Sequence, residues 1–497
     1  MSQLTRSEWE ARAKALSIEG RAFINGKYVS ASSGATFECI SPIDGRVLAQ
    51  VASCDAADAD LAVASARSAF ESGVWSRQAP AMRKAVMVRF SELLQAHAEE
   101  LALLETLDMG KPISDSLSVD LPGTIDSIRW CGEAIDKIYD EVAATSVDQL
   151  GLVTREPVGV VATIVPWNFP LMMASWKLGP ALATGNSVIL KPSERSPLTA
   201  IRIAQLALEA GLPAGVLNVL PGYGSTVGKA LALHCDVDTL AFTGSTQVAK
   251  QLLVYAGESN MKRVWLEAGG KSPNIVFADA PDLQVAAEAA AAAVAFNQGE
   301  VCTAGSRLLV QASIKERFVP MVVEAMKAWK PGHPLDPDTN VGALVDGRHL
   351  EGVLQYIHEG QVQGAQLLLG GRAALVETGG SYVEPTLFDN VSNSMKIARE
   401  EIFGPVLSVI EFDEAEDAIR IANDTPYGLA AAVWTADLSR AHNMARALRA
   451  GSVWVNLYDG GDMMAPFGGY KQSGNGRDKS LHAFDKYTEI KATWIQL

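Results

Sequence analysis

Cysteine is scarce in this 497-residue chain: Cys39, Cys54, Cys131, Cys235 and Cys302 are all there is, an odd number with neither CxxC nor Cys/His ligand spacing. That pattern excludes a disulfide framework and a structural zinc site, and suits a reducing cytoplasm. Positive charge is also short. Lys and Arg number 42 against 57 Asp and Glu, for a formal net charge of −15. The chain therefore lacks the basic footprint of a nucleic-acid or anionic-membrane binder. Internal repeats and low-complexity linkers are missing too. The most apolar stretch, Val158 to Trp176, is interrupted by Pro166, Asn168 and Pro170. It reads as a buried strand followed by a turn, not as a membrane span. The start, MSQLTRSEWEARAKALSIEG, has no apolar h-region and no cleavage site, and reads as a polar-faced helix.

What is present is an ordinary globular composition, 48% hydrophobic and 20% charged. The chain is longer than one hydrophobic core usually supports, so two or three domains are expected. Val158–Val165, Ser187–Leu190, Val216–Leu220, Thr239–Phe242 and Val264–Glu267 read as short buried strands, with amphipathic stretches Leu198–Ala210 and Ser245–Ala256 between them. Strand, helix, strand at about 25–30-residue spacing predicts a parallel sheet with right-handed crossovers. Ahead of it, Asp55–Ser72 and Ala81–Asp108 read as long Ala/Leu-rich helices. After Pro273 a second α/β pattern follows: helix Leu283–Phe296, strand Arg307–Gln311, helix Ile314–Trp329. The tract near 140–157 and the tail Lys486–Leu497 look extended, with little local partner. Such edges commonly add to another subunit's sheet, so a homo-oligomer is expected.

No GxGxxG is present; Gly222–Gly228 carries one residue too many. Phe242-Thr-Gly-Ser-Thr246 instead ends a strand and starts a helix, so Gly244 and Ser245 offer N–H groups to a pyrophosphate. An ordinary Ser N-cap would look the same. Lys191 and Glu194 follow another strand end, where α/β sheets bind ligands and where ribose hydroxyls would meet them. A solvated loop pair reads alike. Cys302, in FNQGEVCTAGSR, is delivered between two apolar segments near an expected helix start, a placement that lowers a thiol pKa. Most buried cysteines are inert. Glu267 stands at a strand end before Gly-Gly, suited to general-base work through water. Asn168 in PWNFP supplies an amide donor suited to an oxyanion. Each segment alone has a structural explanation. Together they set a nucleophile, a base and an oxyanion donor around one sheet.

In chain order, PWNFP, KPSE, FTGS, LEAGGKSP, the Cys302 segment, EIFGP at Glu401–Pro405 and PFGGYKQSG at Pro466–Gly474 resemble the aldehyde dehydrogenase superfamily over essentially the whole length. The resemblance implies a Rossmann-like NAD(P) domain over 1–138 and 158–266, an α/β catalytic domain over 267–478, and a β-ribbon oligomerisation element from 139–157 and 479–497, in a dimer or tetramer. It implies Cys302 as nucleophile, Asn168 as oxyanion donor, Glu267 as the base for the hydrolytic water, and Lys177 as an aid to proton removal. Implied cofactor contacts are Ile164, Pro166, Trp167, Lys191, Glu194, Gly224, Gly228, Phe242, Gly244, Ser245, Val248, Glu401 and Phe403. Implied substrate contacts are Asp120, Phe169, Trp176, Asp459, Asp462 and Phe467. No metal is implied. NAD is the expected cofactor, with NADP as the alternative, because the Glu194 carboxylate would repel a 2′-phosphate.

The sequence departs from the family pattern at Ala268 (usually Leu), Glu300 (usually Gln), His349 (often Gln) and Asp478 (often Glu). Within the family, the Asp459-Gly-Gly-Asp462-Met-Met stretch resembles the γ-glutamyl-γ-aminobutyraldehyde and 4-guanidinobutyraldehyde dehydrogenases of polyamine and arginine catabolism. That branch implies a small ω-amino, guanidino or γ-glutamylamino aldehyde, oxidised to its carboxylate. Broad oxidation of uncharged aldehydes is the alternative. A CoA-acylating enzyme is opposed by Glu267, and a non-enzymatic structural homologue by the intact Cys302, Glu267 and Asn168. A cytoplasmic protein with neither nucleic-acid nor membrane partner is expected.

Overall fold

The two runs of short apolar segments become two seven-stranded sheets in the computed structural model, which describes residues 4–497. In the first, Arg263–Glu267, Thr239–Thr243, Val160–Ile164, Ser187–Lys191 and Leu217–Val219 lie side by side and parallel. Four of these strands are buried at every residue. Helices on both faces demand that, which is why they read as continuous apolar runs instead of alternating ones. The hairpin Ala22–Ile24 with Lys27–Val29 completes the sheet as an antiparallel edge. Parallel register has one consequence for function. Ile164 pairs with Lys191, Phe242 with Ile164, and Thr243 with Glu267. All the strand ends flagged by the sequence therefore meet at one carboxyl edge.

The second sheet holds Thr386–Asp389, Val406–Phe412, Arg307–Gln311, Pro273–Val276, Ala430–Trp434 and Ser452–Val455 in parallel, with Gln366–Leu369 antiparallel at its edge. The helix Leu283–Ala295 begins where the Asp282 carboxylate accepts from Gln284 N (2.8 Å) and Val285 N (3.2 Å). Its alanines 286, 287, 290 and 291 bury against Leu308 and Val310; small side chains let it lie close to the sheet. Arg307, fully buried at the start of the central strand, donates to the carbonyls of Lys271 (2.9 Å), Ile421 (3.0 Å) and Ala422 (2.9 Å) and to Asn393 Oδ1 (3.1 Å). Burial pulls its pKa down to about 10.

Two expectations are corrected. The stretch Ala81–Asp108 is two helices, Pro80–Ala96 and Ala98–Met109, because His97 leaves helical geometry at φ −104°, ψ 16° and its ring meets Glu100 at 2.8 Å. The bend sinks Leu101–Met109 into the core entirely, while the preceding helix buries only four residues. The extended tracts are not partnerless: Thr488–Gln496 pairs antiparallel with Gln149–Pro157 along its whole length, and Glu141–Ala143 adds a third strand. Lys486 precedes that strand, in the 3₁₀ turn Leu481–Tyr487. The small sheet leaves Val142, Ile490, Trp494 and Leu497 exposed. Among the described residues no helix is long and apolar enough to cross a membrane.

Replacing Arg307 by Met strands three buried carbonyls. The expected loss is about 3 kcal/mol or more, read as a lower apparent melting temperature at fixed scan rate. An unchanged melting temperature would remove Arg307 from this role.

Candidate active site

Glu267 ends its strand, and the two glycines after it let other chain segments close in. A Cβ at Gly270 would stand 2.4 Å from the Cys302 carbonyl oxygen, and one at Gly269 would stand 2.0 Å from Glu401 Oε2. Gly270 N–H donates to Glu401 Oε1 at 3.0 Å. The Gly-Gly turn is thus where residues 267, 302 and 401 converge.

Before Cys302, Asn297, Gln298 and Gly299 are all left-handed, with φ of 49°, 57° and 74°. The two side chains hold this costly backbone in place. Asn297 Nδ2 donates to the carbonyls of Asn168 (3.2 Å) and Glu300 (3.1 Å), and Gly342 N–H donates to Gln298 Oε1 (2.9 Å). Cys302 then lies in a turn leading into Arg307–Gln311. The helix start expected there is absent, because the chain must enter the central strand within five residues. With no helix N-terminus to favour a thiolate, burial and the carboxylates of Glu401, Asp459 and Glu267 push the thiol pKa up. Both effects favour the thiol form of the resting sulfur.

Glu267 is equally constrained. Its carboxyl is buried, and neither oxygen has a hydrogen-bond partner among the described residues. Burial and then Asp478 push its pKa well up, against Lys177, Lys486 and Arg477. Asp478 is the opposite case. Burial opposes its ionisation, but its oxygens pair with Lys177 and Lys486, both buried, and these hold its pKa below the ordinary value. Charge is kept on Asp478, and the proton stays on Glu267. Asn168 donates one amide hydrogen to the Glu300 carbonyl (2.9 Å), leaving the second for another acceptor.

One cavity of about 360 Å³ joins these groups. Of the residues singled out in the sequence, Pro166, Trp167, Asn168, Trp176, Gly244, Ser245, Glu267, Cys302, Glu401, Phe403 and Phe467 line it, and so does Asp478. The rest of the dinucleotide set surrounds the same strand ends. Lys191, buried, donates to Glu194 Oε2 at 3.0 Å. Burial lowers the Lys191 pKa, with Glu194 opposing. Phe242 and Ile164 are buried, and a Cβ on Gly228 would touch Ile164 at 3.8 Å. Ser245 Oγ accepts from Val248 N at 3.3 Å and caps the helix Thr246–Glu258; Val248 itself and Gly224 are exposed. Burial pushes Glu401 up to about 7. Phe403, at φ 58°, meets the Trp167 ring edge-on at 5.2 Å.

Such a set fits a dinucleotide. It offers a capped helix N-terminus for phosphates, Lys191 with Glu194 and Glu401 for ribose hydroxyls, and aromatic edges at Trp167 and Phe403 for a flat ring. Glu300 is fully buried, accepts from Val345 N (2.9 Å) and has its pKa pushed well up by burial. That direction favours the protonated form, which would set no extra charge beside the thiol.

The proposed substrate residues divide. Trp176 and Phe467 face each other at 5.1 Å on the cavity wall. Phe169 is buried against Phe296 and does not line the cavity. Asp459 borders a smaller cavity of about 140 Å³ with Phe296, Val301, Thr303 and Tyr458. Asp462 spends Oδ1 on Met464 N (2.7 Å) in a turn. Asp120 is corrected outright. Its carboxylate is fully buried and accepts from Lys111 Nζ at 2.5 Å, and that lysine, also fully buried, sits 4.1 Å from the Phe169 ring centroid. A lysine without solvent needs a counter-ion, and Asp120 supplies it beneath the Asn168–Phe169 loop rather than in the cavity. The sequence reading missed Met173, Thr243 and Leu429 in the lining, and Gly352 and Tyr356 beside His349. Positions 349, 352 and 356 share one face of the helix Gly347–Val362, a spacing that would have found them.

Comparison with known proteins finds similarity over nearly the whole chain. The sequence profile of the Aldehyde dehydrogenase family matches residues 28–493. The NADP/NAD-dependent aldehyde dehydrogenase PuuC of Escherichia coli (strain K12) is 58% identical over 489 residues, 98% of each chain. A mutant of P. syringae AldA indole-3-acetaldehyde dehydrogenase, solved in complex with NAD+ and IAA, superimposes with a TM-score of 0.99 at 77% identity over 100% of both chains. The γ-glutamyl-γ-aminobutyraldehyde dehydrogenase from Burkholderia cenocepacia J2315 gives 0.98 at 62% identity, over 99% of this chain and 100% of its own.

With Glu267 holding its proton well above the ordinary carboxyl range, it is an acid at low pH and a base only once deprotonated. Turnover limited by hydrolysis should therefore rise with pH along a limb that belongs to Glu267. In Glu267→Gln, rapid mixing should give about one equivalent of NADH per site and then stall, with the limb gone. Steady turnover with the limb intact would assign it elsewhere.

Proposed function

The chain belongs to the aldehyde dehydrogenase family, and we propose that it oxidises small aldehydes with a polar or charged far end, ω-amino, guanidino or γ-glutamylamino, to carboxylates with NAD. The observation that carries the reading is the convergence of the Cys302 thiol, the Glu267 carboxyl and the Asn168 amide on one cavity. Cys302 attacks the carbonyl carbon. Its proton leaves to solvent, as does the one Glu267 holds at rest, while Asp478 remains tied to Lys177 and Lys486. The free hydrogen of Asn168 meets the developing oxyanion, an interaction that grows with the charge. NAD, when bound, supplies the hydride acceptor, leaving a thioester on Cys302. Glu267 then draws a proton from water, and the acid is released. Two modest steps replace one difficult one.

Lys191 and Glu194 would hold a ribose and Gly244 and Ser245 the phosphates, which assigns the first sheet to the cofactor and the second, with the Cys302 turn, to the chemistry. Glu194 favours NAD over NADP. The aromatic walls Trp176 and Phe467 favour a second reading, planar aromatic aldehydes, because such rings stack. The sheet of Glu141–Ala143, Gln149–Pro157 and Thr488–Gln496, with exposed apolar residues, suits pairing between subunits. We take the protein to be a cytoplasmic homo-oligomer.

The test follows NADH with 4-guanidinobutyraldehyde, 4-aminobutyraldehyde, butyraldehyde and indole-3-acetaldehyde. Charged aldehydes should lead, and Asp459→Asn should narrow their advantage by about tenfold, Asp462→Asn less. An advantage for indole-3-acetaldehyde would select the aromatic reading. Equal kcat/KM for all four would reduce the account to a general dehydrogenase. Cys302→Ala should end turnover and leave NAD binding near normal; a tenth of wild-type turnover in that variant would refute the nucleophile. Glu194→Gln should raise kcat/KM for NADP relative to NAD, and no change would detach Glu194 from cofactor choice.

A further inference from the structure

Lys479 is a cation beside the cavity that the mechanism leaves unused. It follows Asp478, whose backbone pairs with Phe467 in both directions (2.8 and 2.7 Å), so the segment that forms the cavity wall also delivers the lysine. Its backbone and that of Ser480 are left-handed, φ 58° and 50°. Ser480 N–H donates to the Met463 carbonyl at 2.8 Å, tying this turn to the Asp459–Met464 loop. The ammonium lies 4.6 Å from the ring centroid of Trp176, which lines the cavity. No hydrogen bond or ion pair holds it among the described residues, although Asp459 and Asp462 are near enough to act on it through space. A lysine placed on an aromatic wall by two strained residues, and left without a counter-ion, has a free valence toward an anion.

We propose that Lys479 determines substrate specificity by receiving a carboxylate at the far end of the aldehyde. Asp459, on the neighbouring loop and near enough to act on Lys479, would take an ammonium at the same end. The pair of opposite charges fits an amino-acid-like terminus, its ammonium on Asp459 and its carboxylate on Lys479. This inference rests on the proposed dehydrogenase function and narrows its substrate class. Asp462, half engaged with Met464 N, contributes only background charge.

The experiment measures NADH formation by the full-length protein with matched pairs of straight-chain aldehydes, one of each pair ending in a carboxylate and the other in a methyl ester. In wild type the carboxylate member should have the higher kcat/KM. In Lys479→Met, which keeps the aliphatic stem over Trp176, the ratio within a pair should fall about tenfold, chiefly through KM. Lys479→Arg should restore most of it, which a merely structural role would not require. A ratio unchanged in Lys479→Met, or no wild-type advantage for the carboxylate, overturns the inference while leaving the dehydrogenase intact. Absence of NADH with every aldehyde would instead refute the function on which it rests.

Discussion

Two groups whose ionisation is disfavoured, the Cys302 thiol and the Glu267 carboxyl, share one cavity, and the rest of the site is arranged around that constraint. Burial opposes ionising either group, and Glu267 when ionised raises the cost of ionising Cys302 further. The counterweight is Asp478. Holding both Lys177 and Lys486, it offsets part of the pull that these two buried lysines exert on the Glu267 proton. Such a triad has little value as a stabiliser, since desolvation consumes most of the attraction. Its value lies in fixing which carboxyl carries charge and which stays a proton reservoir.

That arrangement needs three distant segments at atomic contact, and the Gly-Gly turn after Glu267 supplies the closeness. It lets Cys302 from one sheet's side and Glu401 from a separate loop approach the end of the other sheet's edge strand. The left-handed run at Asn297–Gly299 sets the direction from which Cys302 arrives. Backbone strain and glycine packing thus do locally what the parallel register of Val160–Ile164, Ser187–Lys191, Thr239–Thr243 and Arg263–Glu267 does globally.

Most of the fold was legible because its strands are buried on both faces and announce themselves as apolar runs. Boundaries such as Arg307–Gln311 follow directly from that rule. The break at His97 was not, because the helical period continues through it and only its dihedral angles interrupt the helix. Within the site, Cys302, Glu267 and Asn168 were readable from residue type and neighbours. What could not be read was direction. The sequence says nothing of whether Asp120 faces a cavity or a buried lysine, nor that Cys302 enters a strand instead of a helix. Those outcomes depend on packing partners more than 100 residues away in places, as with the Asn168 amide and the Glu300 carbonyl, 132 residues apart.

The central claim is that the resting nucleophile is a neutral thiol. Peptide-resolved alkylation of Cys302 by iodoacetamide, across pH and without substrate, tests it most directly, and it separates Cys302 from the exposed Cys235. The account predicts a rate that climbs with pH and has not levelled at about 8.5, the ordinary cysteine value. A fast rate that is already flat at about neutral pH would mean a resting thiolate, and would contradict the account.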